Sequence, residues 1–120
     1  MARCVHELFE EQAARTPEAT ALVYEEERLT YAELDARADR LAGLLAARGV
    51  GRGDTVGVHL ERSAELAVAV LGVLKAGAGY VLLDPGFPAA RLRGMAQDAR
   101  IAAVLAAGSG AAVARGHRAG

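Results

Sequence analysis

The sequence predicts an α/β fold in which helices alternate with short, mainly parallel strands. Along most of the chain, segments with apolar residues at helical spacing are separated by short runs of β-prone residues. One such run, residues 80–83 (YVLL), is wholly apolar, which is typical of a parallel strand covered on both faces. Asp84 and Pro85 follow it at the presumed carboxyl edge of the sheet, where α/β proteins usually bind their ligands.

The start of the chain predicts a helix followed by a hairpin. Residues 5–14 are amphipathic, and a Thr-Pro pair at 16–17 ends that helix because the residue before a proline is disfavoured in helical geometry. Residues 20–24 (TALVY) are β-prone. After a charged turn, residues 28–30 are expected to pair back as a second short strand.

The next helix carries a start signal that can be assigned residue by residue. Thr30 and Glu33 have the spacing of a capping box, in which each side chain binds the backbone N–H of the other residue. Leu29 and Leu34 are placed to form the accompanying hydrophobic staple. We expect this helix to end near Gly49, which supplies a C-cap.

The second half of the chain predicts three strands and two helices, in the order strand 55–60, helix 64–76, strand 80–83, helix 89–99 and strand 102–105. Ser63 is placed to cap the helix 64–76, which is apolar on nearly every side and is therefore expected to be buried within a larger protein. Residues 108–120 show no periodicity and are mostly small or basic, so they are predicted to form a disordered tail after an ordered region, 1–107.

Composition excludes several classes of function. The net charge is −1 with 24% charged residues, so we expect neither nucleic acid nor a membrane surface as a partner. The single cysteine, Cys4, excludes an internal disulfide and, with no secretory leader expected, favours the cytoplasm. Residues 66–83 are apolar except for Lys75, but that lysine would lie at mid-bilayer, so a membrane helix is rejected. Lys75 instead suits the negative end of a helix dipole.

The residues that could carry chemistry are few and scattered: Cys4, His6, His59, Ser63, Asp84, Ser109 and His117. The histidines lack companions at metal-ligand spacing, and neither serine stands in a GxSxG turn. The loop 50–54 (VGRGD) lacks the glycine order and the Lys-Ser or Lys-Thr pair of a phosphate loop. The simplest interpretation of Asp84 is that its side chain hydrogen-bonds the backbone of its own turn and so stabilises that turn. The sequence therefore assigns no catalytic, cofactor-binding or metal-binding residue.

Two segments resemble a known family. The stretch LKAGAGYVLLDPGFPAARL is similar to the pattern LKAGxAYVPLDPxYPxxRL of amino-acid adenylation domains from nonribosomal peptide synthetases, and LTYAEL matches a second pattern, LTYxEL. Gly79 stands where alanine is usual, and Leu82 where proline is usual. The resemblance runs from about Val5 to Leu105 and implies the partial N-terminal subdomain of a luciferase-like adenylate-forming fold.

That resemblance implies a function which the chain carries only in part. The complete domains use ATP and Mg²⁺ to form an aminoacyl-adenylate, then pass the amino acid to a phosphopantetheinyl carrier protein. Their phosphate loop and catalytic lysine lie beyond the last matching strand, so the chain is expected to be an N-terminal fragment that is inactive alone and needs the remainder of the domain as a partner. Two alternatives remain open: a non-catalytic docking module of a split synthetase, and a fragment of an acyl-CoA ligase.

Overall fold

Ten helices and strands follow one another in the computed structural model, which describes residues 5–106 and 112–115. In chain order they are α1 (Val5–Arg15), β1 (Thr20–Tyr24), β2 (Glu27–Thr30), α2 (Tyr31–Ala47), β3 (Thr55–His59), α3 (Ala64–Lys75), β4 (Gly79–Leu82), α4 (Ala89–Ala99), β5 (Ile101–Ala106) and β6 (Ala112–Arg115). From α1 to β5 the predicted alternation of helices and strands is confirmed, with boundaries within a residue or two of those expected from the sequence.

The strands form two sheets. β1 and β2 form an antiparallel hairpin, as predicted. The larger sheet has the order β4-β3-β5-β6, and β3 pairs in parallel with both β4 and β5. The mainly parallel α/β architecture predicted from the sequence is therefore confirmed.

The last strand corrects one prediction. Residues 108–120 were expected to be disordered, yet Ala112–Arg115 pairs antiparallel with β5. The free backbone groups along β5 give these residues hydrogen-bond partners, which an analysis of side-chain periodicity does not detect. Residues 107–111 and 116–120 lie outside the described part of the chain, so the prediction is untested there.

Helices α2 and α3 join two apolar clusters into one core. The larger cluster sits between these helices and the sheet and includes Leu45, Val56, Val58, Val73 and Leu105. The smaller cluster joins the same two helices to α1 and the hairpin. No residue of α3 is exposed: five are buried and the other seven are partly buried, with the cover provided by segments of this chain. The helix was expected to be buried within a larger protein, and within this chain it is buried in part. Within the described residues, no helix combines the length and apolar character needed to cross a membrane.

Strand β4 is more exposed than the sequence predicts. Its apolar residues were expected to be covered on both faces, but Tyr80 is 42% exposed and Leu82 is 51% exposed. That prediction was wrong because the face of β4 that carries these two side chains is left partly uncovered. β4 also lies at the end of the strand order and has a neighbour on one side only among the described residues. The following helix, α4, places no residue in the buried core.

The predicted capping box of α2 is present in full. The Glu33 N–H donates to Thr30 Oγ1 at 3.1 Å, and the Thr30 N–H donates to Glu33 Oε1 at 2.8 Å. Leu29 and Leu34 belong to the same buried cluster, as a hydrophobic staple requires. Ser63 caps α3 in the predicted way, because its Oγ accepts the Leu66 N–H at 3.1 Å.

Thr30→Ala should lower the free energy of unfolding by about 1 kcal/mol, because it leaves one N–H of the first helical turn without its acceptor. Thr30→Ser retains the hydroxyl and should cost much less. Urea unfolding of the full chain and both variants measures the difference. Equal losses for the two variants would show that packing of the threonine methyl, rather than the cap, accounts for the effect.

Candidate functional site

A cleft of about 1050 Å³ lies at the carboxyl edge of the parallel strands, where ligand sites of α/β proteins are usually found. Its floor includes His59 at the end of β3 and Ala106 at the end of β5. The turn of the β1–β2 hairpin and the loop between β3 and α3 form its walls. Four separate segments therefore converge here, among them the loop after β4, which contributes Pro85.

The charge of the cleft is predominantly negative. The acidic side chains that line it are Glu25, Glu26, Glu27, Glu61 and Glu65. Arg62 is the only arginine among the lining residues, and no lysine is present. Because such a surface repels anions, these residues do not fit the triphosphate of ATP.

The serine of the cleft is committed to structural hydrogen bonds, but the histidine is not. The Ser63 hydroxyl donates to the Glu61 carbonyl at 3.0 Å while it caps α3, so its proton goes to a backbone oxygen and not to a side-chain base that could activate it as a nucleophile. His59 Nε2 is buried and has no hydrogen-bond partner among the described residues. No histidine belongs to a group of potential metal ligands in the described ranges 5–106 and 112–115.

The remaining candidates from the sequence are dispersed. Asp84 Oδ1 accepts the Gly86 N–H at 2.8 Å, which confirms that this carboxylate holds its own turn. His6 lies in α1, on a different element from His59. The structure does not describe Cys4, Ser109 or His117.

A buried ion-pair cluster, which the sequence analysis missed, lies where three helices meet. Lys75, at the end of α3, has a side chain only 4% exposed, and its Nζ contacts one carboxylate from α1 and two from α2. The Nζ lies 2.5 Å from Glu10 Oε2, 2.7 Å from Asp35 Oδ1 and 2.9 Å from Asp39 Oδ1. Asp35 Oδ1 is itself buried and has no other partner among the described residues.

Burial of the Lys75 ammonium acts to lower its pKa, but the hydrogen bonds to Asp35, Glu10 and Asp39 outweigh burial and raise the pKa above the usual lysine value of 10.5. The lysine is therefore charged at neutral pH despite its burial. The three acids bring carboxylate oxygens within 4.8 Å of one another, a spacing that suits a metal ion. The ammonium already contacts each of them, so the cluster is an ion-pair network that joins α1, α2 and α3.

The family is shown by comparison of sequences. The profile of the AMP-binding enzyme family matches residues 9–119, and the chain therefore belongs to that family. A similar curated protein is surfactin synthase subunit 2 of Bacillus subtilis (strain 168), which is 54% identical over 101 residues. That match covers 84% of this chain but only 3% of the synthase.

Solved structures place the resemblance in one part of the adenylation fold. The nonribosomal peptide synthetase FmoA3 superposes with a TM-score of 0.85 at 40% identity, over 88% of this chain and 11% of that chain. The N-terminal subdomain of NpsA from Klebsiella oxytoca superposes with a TM-score of 0.81 at 28% identity, over 88% of this chain and 28% of the subdomain. The chain thus matches the N-terminal part of nonribosomal peptide synthetase adenylation domains, as the sequence predicted.

Proposed function

We propose that residues 1–107 supply the N-terminal part of a domain that activates an amino acid as its adenylate for nonribosomal peptide synthesis. Residues 108–120 follow as a tail, of which Ala112–Arg115 pairs with β5. The 54% identity with surfactin synthase subunit 2 carries this proposal. The similarity to the FmoA3 synthetase supports it and favours the peptide-synthetase reading over the acyl-CoA ligase alternative.

The contribution of this segment to the domain is architectural. The acidic carboxyl-edge cleft does not suit the phosphates of ATP, and its serine caps a helix. We therefore assign the binding of ATP and Mg²⁺ to other parts of the parent domain. This segment supplies a mainly parallel sheet, an adjoining hairpin and the Lys75 cluster that fixes three helices together.

The proposed partners are the remainder of the adenylation domain and a phosphopantetheinyl carrier protein that accepts the activated amino acid. The proposed location is the cytoplasm, which the single cysteine of the sequence supports. The docking-module alternative uses the same surfaces without catalysis, and no specific contact of the described residues favours it.

The 120-residue chain alone should show no amino-acid-dependent exchange of pyrophosphate into ATP, whereas a chimera should show it. In the chimera, residues 9–106 replace the matching segment of an adenylation domain of surfactin synthase subunit 2. The reason is that the chain offers the fold of this segment but no phosphate cradle, and stabilisation of phosphate charge is needed for the reaction. Radioactive pyrophosphate exchange measures both, with the unaltered surfactin domain as the positive control.

Two results would contradict the proposal. Exchange by the isolated chain, above the background of a preparation from cells without the gene, would refute the architectural role. A chimera that is folded by circular dichroism but inactive would show that this segment cannot serve in a peptide-synthetase adenylation domain. The unaltered domain of the relative separates that outcome from a failed assay.

A further inference from the structure

The outer edge of β4 has no strand beside it among the described residues. On the inner side, Gly79 donates its N–H to the Asp54 carbonyl at 2.9 Å, and the Leu83 N–H donates toward β3 at 2.8 Å. Because consecutive backbone N–H groups of a strand alternate between its two sides, Tyr80 and Leu82 direct their N–H and C=O groups outward.

This edge lacks the usual protection against strand addition. Native edge strands often carry lysine or proline, which discourage pairing with another chain. β4 contains neither, and its outward-bonding residues have exposed side chains, with Tyr80 at 42% and Leu82 at 51%. In the adenylation pattern that the sequence resembles, proline stands at the position of Leu82 and has no N–H to donate. Leucine at this position gives the outer edge of β4 a donor.

We propose that this edge is a dimerisation surface whose occupant is the β4 edge of a second copy of the chain. With a two-fold axis through Val81, Tyr80 lies opposite Leu82 of the second copy and Leu82 opposite Tyr80 of that copy. Each opposed pair can exchange both backbone hydrogen bonds in the antiparallel pattern. The Tyr and Leu side chains of each pair then lie on one face of the joined sheet, where aromatic and aliphatic residues pack favourably.

The self-complementary register is the reason for choosing a second copy as the partner. A two-fold interface requires the same patch on both subunits, and the outward pair formed by Tyr80 and Leu82 meets that requirement. The net charge of −1 adds little repulsion between copies. Two four-residue strands bury far less than the ~1,200 Å² of a standard interface, so the dissociation constant should lie in the micromolar range or above.

Leu82→Pro tests the proposal because it removes only an outward donor. N–H groups that bond toward β3 belong to Gly79 and Leu83, so the sheet should be retained. Sedimentation velocity of the full chain from about 5 to 500 µM should show a concentration-dependent dimer, and the proline variant should dimerise more than about tenfold more weakly. Leu82→Thr keeps the N–H and serves as the matched control. Its reduced apolar area should weaken dimerisation less than the proline substitution does.

Circular dichroism and thermal melts establish that each variant is folded. If the proline variant does not fold, Leu82→Lys replaces it, because a lysine on each side of the two-fold axis repels its symmetry mate while keeping the N–H. A wild-type chain that stays monomeric over the whole concentration range overturns the proposal. The outer edge of β4 would then be a surface for another segment of the parent domain. Equal dimerisation by wild type and by the folded proline or lysine variant also overturns it.

Discussion

Replacing Lys75 by methionine should lower the free energy of unfolding by about 3 kcal/mol, the lower end of the range for removing one partner of a buried ion pair. The lysine side chain is only 4% exposed, and its removal leaves three neighbouring carboxylates without their cation. The lower end is expected because Glu10 and Asp39 are 45% and 61% exposed and can be solvated in the variant. Urea unfolding followed by circular dichroism measures the loss.

A double-mutant cycle with Asp35→Asn separates the ion pair from packing. Asp35 is the least exposed of the three acids, so removing its charge should destabilise the native chain. In the Lys75→Met background the same change relieves repulsion and should be neutral or stabilising. Equal effects of Asp35→Asn in both backgrounds would contradict the network, because they would mean that Lys75 and Asp35 do not interact.

The native chain and Lys75→Met should also differ in how the free energy of unfolding depends on pH. Since folding raises the pKa of Lys75, its stabilisation is fully present below the unfolded value of 10.5 and is lost as the pH rises through the folded value. The stability gap between the native chain and Lys75→Met should therefore be constant from neutral pH to about 10 and should narrow above it. Groups that do not interact with Lys75 titrate equally in both proteins and cancel from this difference.

Gly72→Ala should destabilise the chain by about 2 kcal/mol, a typical cost of overpacking a core. Gly72 lies in α3 against α2, and an added Cβ would come within 2.7–3.0 Å of Leu41 side-chain atoms, including its Cβ at 2.9 Å. That Cβ is fixed to the α2 backbone, so relief requires the helices to separate. The cost should exceed the gain of about 0.5–1 kcal/mol that alanine brings to a helix.

Gly43→Ala is the matched control for this substitution. Gly43 lies in α2 with no atom within 4 Å of the position of an added Cβ, so only the gain in helix propensity should remain. The two variants should therefore change stability in opposite directions when measured by the same urea titration. Stabilisation by both would contradict the close approach of α2 and α3.

The sequence predicted those parts of the fold that depend on neighbours along the chain. The Thr30–Glu33 capping box, the Ser63 cap and the Asp84 turn each join residues two or three positions apart, so their hydrogen bonds can be recognised from spacing alone. Gly49 ends α2 with a φ of 80°, as a C-cap glycine does. The number and order of the elements from α1 to β5 followed from the same local signals, whereas β6 was not predicted.

The prediction failed where partners come from distant parts of the chain. Lys75 pairs with Glu10, which precedes it by 65 residues, so spacing gives no hint of the contact. A signal was nevertheless present: a lone charge in an apolar stretch requires a partner, and Asp35 and Asp39 are one helical turn apart. For β4, an apolar run does not reveal how many neighbours the strand has. The walls of the carboxyl-edge cleft were equally hidden, because four segments meet there.

The burial of Lys75 has a consequence for the chemical reactivity of the protein, because it is the only lysine in the sequence. The folded chain therefore offers no accessible side-chain amine. Its one ε-amine is shielded from reagents and is kept protonated, hence non-nucleophilic, by three carboxylates. Acylating reagents, amine-directed crosslinkers and enzymes that modify lysine can reach it only when α1, α2 and α3 separate. The rate of its acylation thus reports the opening of the core, with no label added to the chain.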